Sequence, residues 1–543
     1  MIISKHLQTL NQWKFKHPLI NKNSFFRILF GTVTLLLLFI LLITFFIEPW
    51  VREKIQTSFN EKNKSYNVVI DRVRIIMIRP GIELKNISIY SKSVHENLWD
   101  LKVEIAFIKF SGINLAKAFF SNNINISKMT ISGSRIIGRV PFSEEAKTPM
   151  ISSLNIRMGC IIFDKIDLIL ENPSTTEAYS VKEGVLKLWN VEVEKKDTIN
   201  SSIFNRLDFK ANEIKKVSAD NMYTYTVNGI IYSSTSNNLA VNDFTIQPNY
   251  TDYDFTSRYV FQKERIEARF NNVFVHDFSA IAYLNHKNLV SSYIEIGKLD
   301  MNIFRDKRKE FKQMNKPTFQ EMIYNYPGHI QIDSIGLLNG NVAYAAHPEE
   351  ANEPGRANFN DIHAKIYKIS NNEIYKTESA FLELKADALL MGKGKLDVFL
   401  KAGIFDSHIS FSVNGTLLEM ETNELNSILE NNAFIHVKEG KLDKMNFNFI
   451  ANNSNASGKM TLLYHGLKIE VINKKTDEST AIKEKIMSLI ANIKIIDSNP
   501  IQGEEVRAGL IYYEREPEHF LFSYCFKSIL SGIKSSLSVS SKK

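Results

Sequence analysis

Apolar and polar residues alternate along most of the chain, and this period of two constrains the fold more than any other feature. In "KMNFNFIAN" (444–452) the apolar residues Met445, Phe447 and Phe449 are separated by single polar residues, and "GIELKNISIY" (81–90) follows a similar pattern. Successive side chains of a strand point to opposite faces, so this alternation predicts half-buried strands. We therefore predict a mainly β protein built on a long antiparallel sheet.

Length and charge narrow the class of protein. A chain of 543 residues is too long for one compact core, and a content of 44% hydrophobic and 23% charged residues is that of an ordered protein. The net charge of +8 is small for this length. It permits attraction to an anionic membrane surface and does not indicate nucleic acid as a partner.

The segment Ile28–Ile47 contains 20 residues without a charge, enough for a helix of about 30 Å, the thickness of a bilayer core. Residues 1–27 carry five lysines and arginines and no acid. The positive-inside rule then places the N-terminus in the cytoplasm and the chain after this segment outside it. A cleaved signal peptide is the alternative, but it would have a shorter apolar run and a small-x-small cleavage site.

The predicted organisation follows from these two patterns. A single membrane anchor is followed by a short α/β cap, an elongated sheet and a C-terminal region with two amphipathic helices. The predicted divisions are a cytoplasmic tail (1–27), a transmembrane helix (28–47), a membrane-proximal α/β cap (48–140), an elongated β region (141–475) and the C-terminal helices with the last strand (476–543).

Local signals predict the turns and the few helices. Asn-Gly pairs such as Asn228-Gly229 favour hairpins, although some of these glycines are expected at bulges inside strands. "GKMTLLYHGLKIEV" (458–471) is predicted to be a hairpin that turns at His465-Gly466. Opposite residues of a hairpin share a face, which gives this hairpin one apolar side. The predicted helices cover residues 114–121, 317–326, 481–495 and 518–537.

No catalytic motif is present: the sequence has no phosphate-binding loop, nucleophile elbow, zinc-protease motif or EF-hand. Acidic residues and histidines in 347–363 suit either a hard-metal site or a solvated loop, and we favour the loop. The basic run "RDKRK" (305–309) suits either an anionic head group or partner, or an exposed turn. We expect neither an enzyme nor a cofactor.

Several stretches in a fixed order resemble the AsmA-like envelope proteins of Gram-negative bacteria, in the form found in Bacteroidetes. After the anchor these are "FTIQPNYTDYDF" (244–255), "IQIDSIGLLNGNVAY" (330–344), "SGKMTLLYHGLKIEV" (457–471) and "VRAGLIYYEREPEHFLFSYCFKSILSGIKSS" (506–536). The resemblance covers most of residues 25–537. Two places depart from the family pattern: Tyr-x-Asp-Leu-Lys reads Tyr-His-Gly-Leu-Lys from Tyr464, and Trp-Lys-Ser reads Phe-Lys-Ser from Phe526.

The resemblance implies an inner-membrane protein whose bulk lies in the periplasm and whose curled sheet, shaped like a taco, carries an apolar groove. It implies phospholipid transfer between the inner and outer membranes, with membrane lipids as partners and the outer membrane or a β-barrel protein as further partners. About 25 strands would give a groove about 120 Å long. The candidate lining residues lie near the far end: Met445, Phe447, Phe449, Met460, Leu462, Tyr464, Leu467, Ile469 and Val471.

Two alternatives remain open from the sequence. The same alternation would serve a β-sandwich, in which the apolar face meets a second sheet. The function could also be that of a scaffold or assembly factor for outer-membrane proteins, which offers sheet edges to its partners or maintains the envelope without carrying lipid.

Overall fold

The computed structural model describes most of the chain after the N-terminal tail. The described residues are 22–77, 79–92, 100–114, 123–141, 155–193, 204–375, 381–406, 408–471 and 496–537. The protein is mainly β, with one long apolar helix at the N-terminal side and one helix at the C-terminal side.

The helices are short except at the two sides of the sheet. They are α1 Lys22–Leu42, α2 Glu48–Lys62, α3 Asp252–Ser257, α4 Ala280–His286, α5 Phe319–Tyr324, α6 Asn426–Asn432 and α7 Leu521–Leu537. The first ten strands are β1 Tyr66–Ile76, β2 Gly81–Ser91, β3 Asp100–Ile113, β4 Asn123–Arg139, β5 Asn155–Glu171, β6 Ala178–Val193, β7 Arg206–Val217, β8 Tyr223–Ser233, β9 Asn238–Pro248 and β10 Glu264–His276. The others are β11 Leu289–Asp306, β12 Ile330–Leu337, β13 Gly340–His347, β14 Gly355–Ser370, β15 Phe381–Leu390, β16 Gly394–Gly403, β17 Phe411–Glu421, β18 Ile435–Ala451, β19 Asn455–Val471 and β20 Ala508–Glu514.

All 20 strands form one sheet, and their order in the sheet follows the chain. Neighbours are antiparallel except β4 with β5, and β11 with β12 and β13. Because β12 and β13 lie end to end between β11 and β14, the sheet has one position fewer than strands. At about 4.8 Å per step it is about 85 Å long, so the predicted 25 strands and 120 Å are too many for the described sheet. No second sheet occurs among the described strands, which excludes a sandwich there.

The N-terminal helix is longer than the predicted anchor. A π-helical turn, Ile43–Ile47, joins α1 to α2 without a break, and the Glu48 N–H bonds to the Ile43 carbonyl. Pro49 follows at once; its ring carries no N–H, so it cannot continue the usual α-helical hydrogen-bond ladder. The apolar part of this helix is long enough to cross a membrane, as predicted for Ile28–Ile47.

Helix α2 covers the free edge of β1, the first strand of the sheet. Its side chains approach β1 at intervals of four residues, which places them on one line along the helix. Asn60 accepts from the Val68 N–H at 2.7 Å and donates to the Val68 carbonyl at 3.1 Å, while Gln56 accepts from Ile70 N–H at 3.1 Å. The edge is therefore hydrogen-bonded to side chains instead of remaining open to another strand.

Helix α7 covers the opposite edge at β20 in the same manner. Ser535 accepts from the Leu510 N–H at 3.0 Å, and Ser531 accepts from the Tyr512 N–H at 3.1 Å. Gly509 and Gly532 allow the close approach, because a Cβ on Gly509 would lie 2.6 Å from the Gly532 carbonyl oxygen. Both terminal edges of the described sheet are thus capped by helices.

A line of left-handed residues crosses the sheet near the middle of the strands. Positive φ angles occur at Asn86 in β2, Gly133 in β4, Gly229 in β8 and Asn272 in β10. The strand registers place these residues on one line, together with further left-handed residues Lys165, Glu183 and Asp361. A residue in this conformation bends its strand, so an aligned set creases the sheet. We call this line the crease.

The apolar side of the sheet lies inside the crease. Leu84 and Ile87 in β2 are three residues apart, on either side of Asn86, yet both are buried in one apolar cluster. The same spacing separates Ile70 from Val73 in β1. In a regular strand such pairs would point to opposite faces, so the break in the alternation at the crease keeps both halves of these strands facing inward.

The predicted hairpin at 458–471 is wrong. Residues Asn455–Val471 form one continuous strand, β19, which pairs with β18. Gly466 has a φ of +64° and marks a break in the alternation within the strand, not a turn between strands. Asn228-Gly229 likewise lies inside β8, where Gly229 has a φ of +63° and belongs to the crease.

Two of the four predicted helices are found among the described residues. The prediction for 317–326 is confirmed by α5 and that for 518–537 by α7. Those for 114–121 and 481–495 fall outside the described residues, except for Asn114. The predicted boundary at residue 140 follows β4, which pairs with β5 along its whole length, so the sheet runs through it without interruption.

We expect Asn60→Ala to open the edge at β1, because the Val68 N–H and carbonyl lose their partners on α2. A lost hydrogen bond of about 1.4 kcal/mol corresponds to about tenfold faster amide exchange in β1, measured by hydrogen–deuterium exchange of the full chain. The control is Lys54→Ala, on the exposed side of α2. Equal exchange in both variants would show that α2 does not hold the edge.

At the crease, Asn272 is exposed and has a φ of +53°. We expect Asn272→Val to lower the free energy of unfolding by about 1–2 kcal/mol, because a β-branched side chain is strained in this conformation. Asn272→Gly should leave the free energy of unfolding within about 0.5 kcal/mol of the wild-type value. Urea unfolding of both variants makes the comparison, and equal stabilities would contradict a backbone requirement at this position.

Candidate functional site

One row of directly paired residues runs across the entire sheet on its apolar side. Each position from β1 to β20 contributes one residue, and every one is apolar or aromatic except a single glycine. The row is Val73, Leu84, Ile108, Ile131, Phe163, Leu186, Phe209, Tyr232, Leu239, Val275, Ile294, Ile335, Ile366, Leu384, Leu400, Val413, Phe449, Gly458 and Ile511. We call it the long row.

A second row lies on the other side of the crease and covers the first eleven strands. Its members are Val68, Ile89, Val103, Ile136, Leu168, Val181, Ile214, Val227, Phe244, Phe270 and Leu299. Phe244 and Phe270 stack with ring centroids 5.7 Å apart. The two rows therefore line a creased, continuous apolar surface on both walls.

The opposite face of the sheet is polar. Next to Phe270, Arg269 points outward and forms two hydrogen bonds with the Asp243 carboxylate, at 3.1 and 3.0 Å. Similar cross-strand pairs, such as Lys182 with Glu213, lie along this face. The sheet is thus amphipathic along its length, with the apolar side turned inward at the crease.

Among the described residues, the apolar surface is covered by helices at both ends, and in its middle it is covered around Tyr232, which Phe278 and the start of α4 contact. Near the long N-terminal helix, Val51, Ile55 and Phe59 of α2 pack against the cluster from β1 to β4. At the far side a larger cluster runs from β12 and β14 to β20 and includes α7. Between Ile131 in β4 and Ile294 in β11, the rows belong mostly to neither cluster and are largely half-buried. We call this the open section; it spans seven strand spacings, about 35 Å.

The far section is closed by the chain itself. The connection from β11 to β12, residues 307–329, links two parallel strands and must return along their length. We call it the strap. Its Lys316 N–H bonds to the Pro517 carbonyl at 2.8 Å, and the Gln320 side chain donates to the Ile409 carbonyl at 3.3 Å. The ring centroids of Phe522 in α7 and Phe359 in β14 are 6.4 Å apart, so the last strands curl back towards β14.

The nine predicted lining residues all lie in β18 and β19, in this closed section. Six of them are at most 6% exposed and belong to the large cluster: Met445, Phe447, Phe449, Met460, Leu462 and Tyr464. Leu467 packs against that cluster, Ile469 is half-buried, and Val471 ends β19. Their shared face is apolar, as expected, but protein side chains already fill it.

Sequence reasoning missed the open section as a distinct site. The signal was present, because each of its strands has apolar residues at alternate positions and a break of one residue near its middle. Finding the rows required the register of every strand pair. A pattern of period two gives the faces of a strand but not the alignment of one strand with the next.

The other candidate sites have structural explanations. His347 is buried, within 2.8 Å of both the Tyr253 hydroxyl and the Ala351 carbonyl, so it orders the loop that was considered for a metal. The described residues contain no group of three or more histidine, cysteine or acidic side chains suited to a metal. Burial raises the pKa of the Cys525 thiol to about 12, which keeps it protonated and unreactive.

Comparison with models of known protein families found no match, and comparison with curated proteins found none either. The AsmA-like resemblance therefore rests on the order of the sequence motifs alone.

Proposed function

We propose that this protein is a membrane-anchored carrier that moves phospholipid along the apolar surface of its creased sheet. The observation that carries the proposal is the long row, which is unbroken by any charged residue over all strand positions. An ordinary core needs a compact cluster, whereas a path for a lipid tail needs continuity in one direction. The open section provides that continuity with most of its row residues only half-buried, apart from Tyr232 beneath Phe278 and the start of α4.

The energy of lipid transfer explains why such a surface is useful. Transfer of each methylene of an acyl chain from hydrocarbon to water costs about 0.8 kcal/mol of free energy. A chain of about 16 carbons therefore faces a barrier of about 12 kcal/mol. An apolar surface removes most of that barrier. The hydrocarbon core of a bilayer is about 30 Å thick, which gives about 15 Å for each leaflet. The open section, at about 35 Å, exceeds two such lengths.

The position of the anchor supports a role at a membrane. The long N-terminal helix ends in α2, which is packed and hydrogen-bonded onto the first strand, so the apolar surface begins next to the anchor. With the basic tail in the cytoplasm, the sheet would lie in the periplasm of a Gram-negative cell and face the outer membrane. We assign no catalytic role to any residue.

The alternative function, a scaffold that offers sheet edges to β-barrel proteins, has less support. Strand addition needs an edge with free N–H and carbonyl groups. At both ends of the sheet those groups are bonded to side chains, from Asn60 and Gln56 at β1 and from Ser531 and Ser535 at β20. A partner strand would first have to displace α2 or α7.

A photo-crosslinking residue at position 270 tests the proposal in intact cells. Phe270 belongs to the second row in the open section, so we expect it to capture phospholipid. The same probe at position 269 points to the polar face and should capture none. A probe at position 447, which is 3% exposed in the closed section, should give little lipid adduct.

Phe270→Asp should also stop lipid transfer between vesicles, because a charge interrupts the apolar path. Circular dichroism of this variant tests whether the sheet remains folded. Equal lipid capture at 269 and 270, or none at 270, would contradict the proposal. Capture of a β-barrel protein instead of lipid would favour the scaffold.

A further inference from the structure

The basic run at 305–309 is divided between the two faces of the sheet. Arg308 turns to the polar face, where it forms two hydrogen bonds of 2.8 Å with the buried carboxylate of Asp306. Lys309 donates to the carbonyls of Ser257 and Tyr259. These two cations therefore have structural partners. Arg305 alternates with Ile303 along β11 and so lies on the apolar side.

Arg305 is the last residue of β11 on the apolar side, and its side chain is only 15% exposed. Its Nε donates to Gln262 at 3.0 Å, and its Nη1 lies 3.6 Å from a carboxylate oxygen of Glu264. The guanidinium also stands over the Phe311 ring of the strap, with its carbon 5.3 Å from the ring centroid. These contacts fix the guanidinium where the apolar surface ends at the strap.

Lys307 follows as the first residue of the strap, and no described carboxylate lies within ion-pair distance of its ammonium. The residue is exposed to solvent, yet its ammonium is crowded by protein atoms, as expected inside a concave surface. This desolvation, together with the positive charges of Arg305 and Lys527, lowers the pKa of Lys307. The Lys307 ammonium is therefore a partly desolvated cation without a paired carboxylate among the described residues.

The C-terminal segment brings the third cation to the same place. Phe311 of the strap packs on His519, with the two ring centroids 4.7 Å apart. Lys527 of α7 donates a hydrogen bond to the Glu516 carboxylate. Burial and the charge of Lys527 lower the pKa of His519, which therefore remains neutral at pH 7. Arg305 is paired with Glu264 and Lys527 with Glu516, whereas Lys307 has no ion-pair partner among the described residues.

The distance from this cluster to the open section matches a lipid. Leu299, in the second row, lies six residues before Arg305 on the same strand, which is about 20 Å. Half of a bilayer, including its polar region, is also about 20 Å thick. An acyl chain lying over Leu299 and Met301 would thus place its phosphate near the cations. Ile303 continues the apolar surface between these points.

We propose that Arg305, Lys307 and Lys527 form a binding site for the phosphate of a phospholipid whose acyl chains lie on the open section. This inference rests on the proposed function. The site marks the place where the strap closes the apolar path, and Lys307 is its free charge. Arginine and lysine are the residues that bind phosphate oxygens through charge-assisted hydrogen bonds.

The test uses the purified full chain in detergent, with bound molecules counted by native mass spectrometry. Four probes are added separately: phosphatidylglycerol, phosphatidylethanolamine, diacylglycerol and inorganic phosphate. We expect Lys307→Gln to weaken binding of both phospholipids about tenfold, the effect of losing one charge-assisted hydrogen bond, and to leave diacylglycerol unchanged. Lys307→Arg should restore phospholipid binding. Lys312→Gln, which removes an exposed cation of the strap, is the matched control.

The outcomes separate this site from the proposed function. Equal loss of phospholipid and diacylglycerol in Lys307→Gln, or no loss of either, would overturn the phosphate site and leave the apolar carrier intact. Binding of inorganic phosphate that depends on Lys307, without a preference for phospholipid over diacylglycerol, would overturn the lipid as its source. Failure of the wild type to bind any lipid would overturn the proposed function itself. A thermal melt of each variant tests whether it is folded.

Discussion

An open sheet ends in two strands whose outer N–H and carbonyl groups have no strand to bond to, and the rest of this structure depends on how those groups are satisfied. Here α2 and α7 supply side chains spaced four residues apart, which match the ladder of an edge strand. Helix α2 continues from the long apolar N-terminal helix, and α7 completes the far cluster. The same contacts that prevent edge-to-edge association therefore also fix where the apolar surface begins and where it is closed.

The crease solves a second problem, which is how a sheet can bend sharply and keep one face apolar. A bend made by a left-handed residue changes the alternation of side chains, so the sequence must shift its apolar residues by one at the same point. Leu84 and Ile87 show this shift in β2, and Phe270 and Val273 show it in β10. Because the first eleven strands shift at the same register, both walls remain apolar there. Asparagine and glycine recur on this line because they tolerate positive φ.

The alternation in the sequence is sufficient to predict a long, mostly antiparallel sheet with one apolar face, and the charge-free run at Ile28–Ile47 is sufficient to predict a helix long and apolar enough to cross a membrane. The hairpin at His465-Gly466 was predicted wrongly because glycine after a polar residue suits both a turn and a bulge, and only pairing with β18 distinguishes them. The candidate lining residues have the right face but lie under α7, since burial depends on contacts between segments far apart in the sequence. The open section could be located only after the registers were known.

The agreement between strand order and chain order has a consequence for how the molecule is made. Each strand pairs with the one synthesised before it, apart from the shared position of β12 and β13, so the sheet can assemble from β1 outward as the chain is made. At every stage the newest strand presents an unprotected edge, and this exposure ends only when α7 reaches β20. During that interval the growing sheet is vulnerable to aggregation. The outer edge of β1 is already covered by α2, which precedes it in the chain, so a single growing edge is exposed at each stage.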